Sequence, residues 1–269
     1  MNAAAERSDR CFDAARALAP AIAQQAGKYR LRLAGSNADM RAICRLRFEV
    51  FNLELDEGLE ASFETGLDED RFDAQCHHLL VEDEHGTVVG TYRMQDSAMA
   101  RSGFGFYSAA EFELQQLPAN VLDQSVELGR ACIHADHRNT RVLFLLWRGL
   151  AAYMVAGGHR YFFGCCSLTS QDPLEGQRLF ERLQAEGAVD RELMVDVTAQ
   201  FRCETQSPAT KDAQQPPRVP KLMRLYLAYG ARIISPPALD REFSTIDYLA
   251  LFDIESLSDA NRRMFLDHE

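Results

Sequence analysis

The chain has 269 residues, 46% of them hydrophobic and 26% charged, enough for one large or two small domains with a substantial core. A formal net charge of -11 without a basic stripe excludes a general nucleic-acid binder, and any acidic partner would need a local basic patch. No run reaches the ~18 uninterrupted apolar residues of a membrane span, and the opening "MNAAAERSDRCFDAARALAP" lacks the basic and apolar regions of a secretory signal, so a cytoplasmic protein is expected.

In chain order, Phe12, Ala15, Leu18 and Ile22 recur at helical spacing and predict an amphipathic helix over 10–26, with Pro20 working against it. Tyr29 to Leu33 alternates like a strand, and Asn37 to Leu55 reads as a helix capped by Asn37. Residues 56–76 are acidic and aperiodic, a long loop. "HHLLVED" and "VVGTYRMQ" then form a hairpin around Gly86. Short helical pieces are expected within 104–124, and 125–133 is the next strand. "NTRVLFLLWRGLAAYMVAGG" is an apolar helix closed by Gly157 and Gly158, "YFFGCCSL" a buried strand, and 172–186 a further helix. Residues 203–219, rich in Pro, Gln and Ser, predict a mobile loop. A helix from Pro220 to Gly230 and the strand "IDYLALFDI" complete an α/β (α+β) pattern: a helical extension over 1–28 and one domain over 29–269.

Seven cysteines without a spaced framework read as small buried hydrophobes in a reducing compartment. No metal site is expected, because paired Cys/His ligand spacings are absent and His77-His78 does not supply one.

The informative stretch is "SVELGRACI", Ser125 to Ile133. Glu127 and Arg130 stand three apart, so a regular strand would point them to opposite faces and desolvate each charge alone. Either this stretch is not a strand, or something bends it. Arg47 and Phe51 share a helix face upstream, Asp70 and Asp73 precede the hairpin, and Arg93 ends "VVGTYR". Taken alone, each of these residues has an ordinary structural explanation, such as an ion pair that fixes register or a solvated acidic loop.

In order and spacing, "RFEVF", "DEDRFDAQCHHLLV", "VVGTYRM", "FGFYSAAEFEL", "VELGRACI", "LLWRGL", "YFFGCCS", "PKLMRLYLAYGARI" and "DREFSTIDYL" resemble the acyltransferases of the GNAT superfamily that use acyl carrier protein. The match is to the haemolysin-like ornithine-lipid N-acyltransferases, with acyl-homoserine-lactone synthases as cousins. The resemblance implies a bent mixed β-sheet flanked by helices, splayed into a V, with a β-bulge near Gly129, its expected pivot. It implies Glu127 and Arg130 as catalytic residues, and Arg47, Phe51, Asp70, Asp73 and Arg93 as the cluster and apolar wall closing the substrate pocket. Amide formation from a thioester needs a neutral amine, hence a proton acceptor such as Glu127, and a donor to the oxyanion such as a backbone N–H at the bulge.

CoA-dependent members place a glycine-rich turn between the bulged strand and the next helix, where backbone N–H groups hold the pyrophosphate. Here "HADHRNTRVLFLLWRGL" has no glycine before Gly149 and instead carries Arg138, Arg141 and Arg148. This fits a donor presented as acyl-phosphopantetheine on an acidic acyl carrier protein docked by arginines, with no bound cofactor, and Lys221 and Arg224 extend the patch. The implied reaction moves a long-chain or 3-hydroxylated acyl group to the α-amine of an amino acid, ornithine first. Alternatives are another N-acyl amino acid, an acyl-homoserine lactone, or a silent lipid-binding module. The lactone synthases carry a tryptophan soon after the first-helix motif, whereas the single tryptophan here is Trp147. The N-terminal helix either packs on the domain or lies on the inner-membrane surface.

Overall fold

The structure, a computed structural model, describes residues 19–204 and 217–265. These fall into two units: 19–105, 126–159 and 259–265 in the first, 106–125, 160–204 and 217–258 in the second.

In the first unit, strands β1 (Ala23–Ala26), β2 (Tyr29–Leu33), β3 (His77–Glu82), β4 (Val88–Asp96) and β5 (Ser125–Ile133) pair in chain order, each antiparallel to the next. Strand β1 corrects the helix predicted over 10–26. Gly27, at φ +61, supplies the left-handed turn residue that folds Ala23–Ala26 back onto Tyr29–Arg32. Residues 10–18 of that predicted helix lie outside the described residues. A boundary at residue 28 would also cut this hairpin.

Helix α1 (Asn37–Phe48) is capped one residue before the predicted Asn37: the Ser36 hydroxyl accepts from Asp39 N–H at 3.1 Å. After Phe48 the backbone widens into a π-helical segment, Glu49–Glu54, with Leu55 N–H bonded to Val50 O at 3.1 Å. Ile43 packs on Leu80 and Ala34, and Leu46 and Val50 on Cys132, so α1 covers the face that carries Arg93. Helix α2 (Thr140–Gly157) covers the opposite face. Gly149 permits this, because a methyl there would lie 2.7 Å from Leu31 Cδ1. Gly158, at φ +65, ends the helix as the sequence predicts. No helix among the described residues is long and apolar enough to cross a membrane.

In the second unit, β6 (Tyr161–Leu168), β7 (Arg232–Ile233) and β8 (Ala238–Asp240) each pair antiparallel with β9 (Thr245–Asp253). Asp172 caps α3 (Pro173–Ala185), and α4 (Lys221–Ala228) follows the segment 205–216, which lies outside the described residues and with it most of the predicted mobile loop. Leu179, Leu183 and Met223 pack with Cys166, Ile246 and Tyr248 on one face of this sheet. Phe112, Leu114, Leu117 and Val121 pack with Phe163, Leu249 and Leu251 on the other. The six described cysteines carry no disulfide, and burial pushes Cys44, Cys132 and Cys166 up to about 12.

Candidate active site

Strand β5 is bulged. Thr91 pairs with Cys132 and Arg93 with Gly129, so Arg130 and Ala131 together oppose the single residue Tyr92. The pivot differs from the expected one. Arg130 takes the left-handed conformation, at φ +47, and Gly129 does not adopt a positive φ. A left-handed non-glycine residue costs roughly 1–2 kcal/mol. The Arg130 side chain offsets that cost: Nε donates to Asp68 Oδ1 at 3.2 Å, Nη2 pairs with Asp68 Oδ2, and the guanidinium lies 4.6 Å over the Phe51 ring. Over Gly129 the space is open, with no atom near the place a Cβ would take.

Of the predicted cluster, Arg47, Asp70, Asp73 and Arg93 bind one another directly, Arg130 joins them through Asp68, and Glu127 stays apart. Arg47, 1% exposed, donates through Nε to Asp68 Oδ1 and through Nη1 to Asp73 Oδ1, both at 2.7 Å. Arg93 Nη1 reaches Asp70 at 2.6 and 2.7 Å and Asp73 Oδ1 at 2.9 Å. Asp70 N–H donates to Asp73 Oδ2 at 2.9 Å, which shapes the turn that aims both carboxylates at the arginines. Burial alone would raise Asp73 and Asp68, but Arg47, with Arg93 at Asp73 and Arg130 at Asp68, holds both below the usual carboxylate range. His78 donates Nε2–H to the Asp73 carbonyl at 3.0 Å, and burial lowers it to about 4, so it is neutral at pH 7.

Asp68, fully buried between Arg47 and Arg130, is the residue that the sequence argument missed. Charge balance gave no signal for it, because the expected set already matched three arginines with three carboxylates, Asp70, Asp73 and Glu127, and "LDEDRFD" offers two further acids.

Glu127 lies on the same face of the sheet but outside this cluster. Glu127 is paired across the sheet with Gln95, two residues beyond Arg93, and Gln95 Nε2 donates to Glu127 Oε2 at 2.7 Å. Of the predicted docking arginines, Arg138 is exposed but engaged by Glu54, with Nη2 to Oε2 at 2.6 Å. Arg141 is exposed and Arg148 half-buried. At the α2 N-terminus, Asn139 Oδ1 accepts from the N–H groups of Arg141 and Val142 at 3.0 and 3.2 Å.

The second unit holds another acidic group. Atoms of Glu111, Cys165 and Asp247 lie within 4.8 Å of one another, the one grouping of metal-ligating atoms among the described residues. No cation among the described residues pairs with these carboxylates. Burial, and then the negative charge of the other acids, raises Glu111 well above the usual range and Asp247 to about 6. Both shifts favour the protonated form, and one proton shared between the two carboxylates would relieve their repulsion.

The bulged strand β5, α1 on one face of the sheet and α2 on the other define an acyltransferase fold of the GNAT type. The family model described as an acetyltransferase (GNAT) domain matches residues 46–148, the segment that carries Arg47, the acidic turn, the hairpin and the bulge. Over most of its length the chain is 31% identical to the L-ornithine N(alpha)-acyltransferase of Brucella abortus, across 86% of each chain. It is 31% identical to the enzyme of the same name from Rhodobacter capsulatus, across 88% of this chain and 94% of that one. The chain belongs to this acyltransferase family and is an enzyme. Among solved structures, the acyl-homoserine-lactone synthase LasI aligns with 92% of this chain and 96% of its own, at 12% identity and a TM-score of 0.48.

Proposed function

We propose that the enzyme acylates the α-amine of L-ornithine, the acceptor named in its relatives, with a long-chain or 3-hydroxylated fatty acyl group carried as a phosphopantetheine thioester on acyl carrier protein. The observation that carries this reading is the open space over Gly129, bracketed on one sheet face by Glu127 and the bulge. A thioester carbonyl set there has a carboxylate two residues away and a backbone interrupted from its ladder beside it. The amine nitrogen attacks the thioester carbon, and Glu127 takes the proton that the nitrogen loses. The oxyanion is stabilised by a backbone N–H of the bulge and then collapses to the amide. The phosphopantetheine sulfur leaves as a thiolate and recovers the proton from Glu127. Arg130 holds the bulge in shape through Asp68 and Phe51, and the Arg47–Asp73–Arg93 network fixes the floor beneath it.

The carrier-protein donor is supported by Asn139. Its carboxamide oxygen takes N–H groups that would otherwise be offered to a pyrophosphate, on a turn that has no glycine. Arg141, exposed at the same helix end, is the better placed of the docking arginines, because Arg138 is already paired with Glu54. The test is to incubate the enzyme with acyl carrier protein or acyl-CoA thioesters and a panel of amino acids, reading products by mass spectrometry. N-acylornithine from the carrier-protein donor alone is expected. Equal turnover of acyl-CoA would remove the carrier-protein reading, and full activity of Glu127→Gln would remove Glu127 as the proton acceptor.

A further inference from the structure

The first unit contains a chain of buried hydrogen bonds that leads to Glu127 and is polarised from its far end. Phe104 N–H donates to Gln75 Oε1 at 2.8 Å, and Gln75 Nε2 donates to Gln95 Oε1 at 2.6 Å. Gln95 Nε2 then donates to Glu127 Oε2 at 2.7 Å. The second hydrogen of each amide goes to the Gly105 carbonyl, at 3.1 Å in both cases. Gln75, Gln95 and Glu127 are all buried, at 8%, 2% and 6% exposure.

Direction along this chain is forced. A backbone N–H only donates and a backbone carbonyl only accepts, so Phe104 and Gly105 together fix which way the Gln75 amide faces. Its NH2 then meets the Gln95 oxygen, which turns the Gln95 NH2 toward Glu127. Glu127 Oε2 must therefore accept. The Cys76 thiol, 3.7 Å from Gln95 Oε1, reinforces the same polarity.

The backbone that anchors the chain is shaped for it. A methyl group on Gly103 would lie 2.1 Å from Gln75 Oε1, so only glycine lets that amide seat against the loop. Gly105, at φ +85, takes a conformation that turns its carbonyl to both glutamines, and a side chain there would be strained.

We infer that Gln75 and Gln95 are positioning residues for acyl transfer: an amide relay, set by the Phe104 N–H and the Gly103–Gly105 loop, that keeps Glu127 oriented as a proton acceptor. The inference rests on the reading of Glu127 as that acceptor. Gln75→Glu keeps the shape and reverses the polarity, because a carboxylate at 75 turns the Gln95 NH2 toward itself and the Gln95 oxygen toward Glu127. Gln95→Leu removes the donor outright.

The experiment measures kcat and KM in Gln95→Leu, Gln75→Glu and Gly103→Ala, with thermal melts to establish folding. Gln95→Leu is expected to lower kcat by about tenfold or more, with the KM for the acyl donor unchanged. The other two variants should follow in the same direction, and Gly103→Ala serves where Gln95→Leu does not fold. A folded Gln95→Leu or Gly103→Ala enzyme with wild-type kcat overturns the relay. An NMR arm separates this from failure of the catalytic reading. If the wild type acylates no amine, the side-chain NH2 signals of Gln95 in glutamine-labelled protein must still shift on Glu127→Gln. Unmoved signals overturn the relay independently of activity.

Discussion

In the first unit Asp68, Asp70 and Asp73 meet three guanidinium groups within hydrogen-bonding distance; in the second, no cation among the described residues pairs with Glu111 or Asp247. Burial is similar at the two places, yet the carboxylates respond in opposite directions. Where arginines were supplied, Asp68 and Asp73 are held ionised. Where none was, Glu111 and Asp247 are pushed toward the protonated form. The first arrangement fixes geometry through charge-assisted bonds, and the second trades a cation for a proton. The fold spends its arginines where a bulged strand must be held in a left-handed conformation.

The sharpest way to break this contrast is to remove the shared acid of the first cluster. Asp68→Asn leaves Arg47 and Arg130 buried against a neutral amide and should cost about 3–5 kcal/mol, read by chemical denaturation. A loss below about 1 kcal/mol would show that the cluster does not need its charges.

In the second unit the sign reverses. Asp247 has its folded pKa raised to about 6, so folding is penalised once pH exceeds the unfolded value near 4, and fully above 6. Asp247→Asn should therefore raise stability at pH 8 by roughly 1–2 kcal/mol, with the gain fading towards pH 4. Equal or greater stabilisation at pH 4 would contradict the proton-sharing account.

Hydrogen exchange resolved by region sharpens the comparison without mutation. Between pH 8 and pH 5, after correction for intrinsic rates, amides around Asp247 should gain protection as the acids take up their proton. Those around Asp68 and Asp73 should not change in that window. Their depressed pKa values mean that the stability they contribute is complete above about pH 4 and is lost only as pH falls through the folded values. The smallest expected effect is at Gly129. Its φ is not positive and nothing occupies the Cβ position, so Gly129→Ala should alter stability by no more than about 0.5 kcal/mol. A loss of several times that would restore Gly129 as the pivot.

Much of the fold was legible because local chemistry and burial agreed. The β3–β4 hairpin announced itself through alternation around Gly86, and α2 through a continuous apolar pattern ended by Gly158. Strand β1 was misread because Phe12, Ala15, Leu18 and Ile22 satisfy helical spacing, whereas Gly27 and pairing with β2 decide the conformation of Ala23–Ala26. Charges three apart in one strand raised the question of a bend, and the family resemblance supplied the bulge. Neither placed its pivot, because local preference favours glycine while the Asp68 ion pair and the Phe51 ring hold Arg130 in the left-handed region. Gln75 and Gln95 gave no signal, since a glutamine looks alike on a surface and in a relay, and only the closeness of Gly103 and Gly105 distinguishes them.

Asp68 also has a kinetic consequence. It binds a helix residue 21 positions before it and a strand residue 62 positions after it, so its two bonds close loops of very different length. Contacts of such long range are expected to form after the hairpin and helices, on the native side of the folding barrier. Weakening them should speed unfolding far more than it slows folding. Resistance of the enzyme to slow inactivation is thus expected to fall when the carboxylate that shapes its bulged strand is removed.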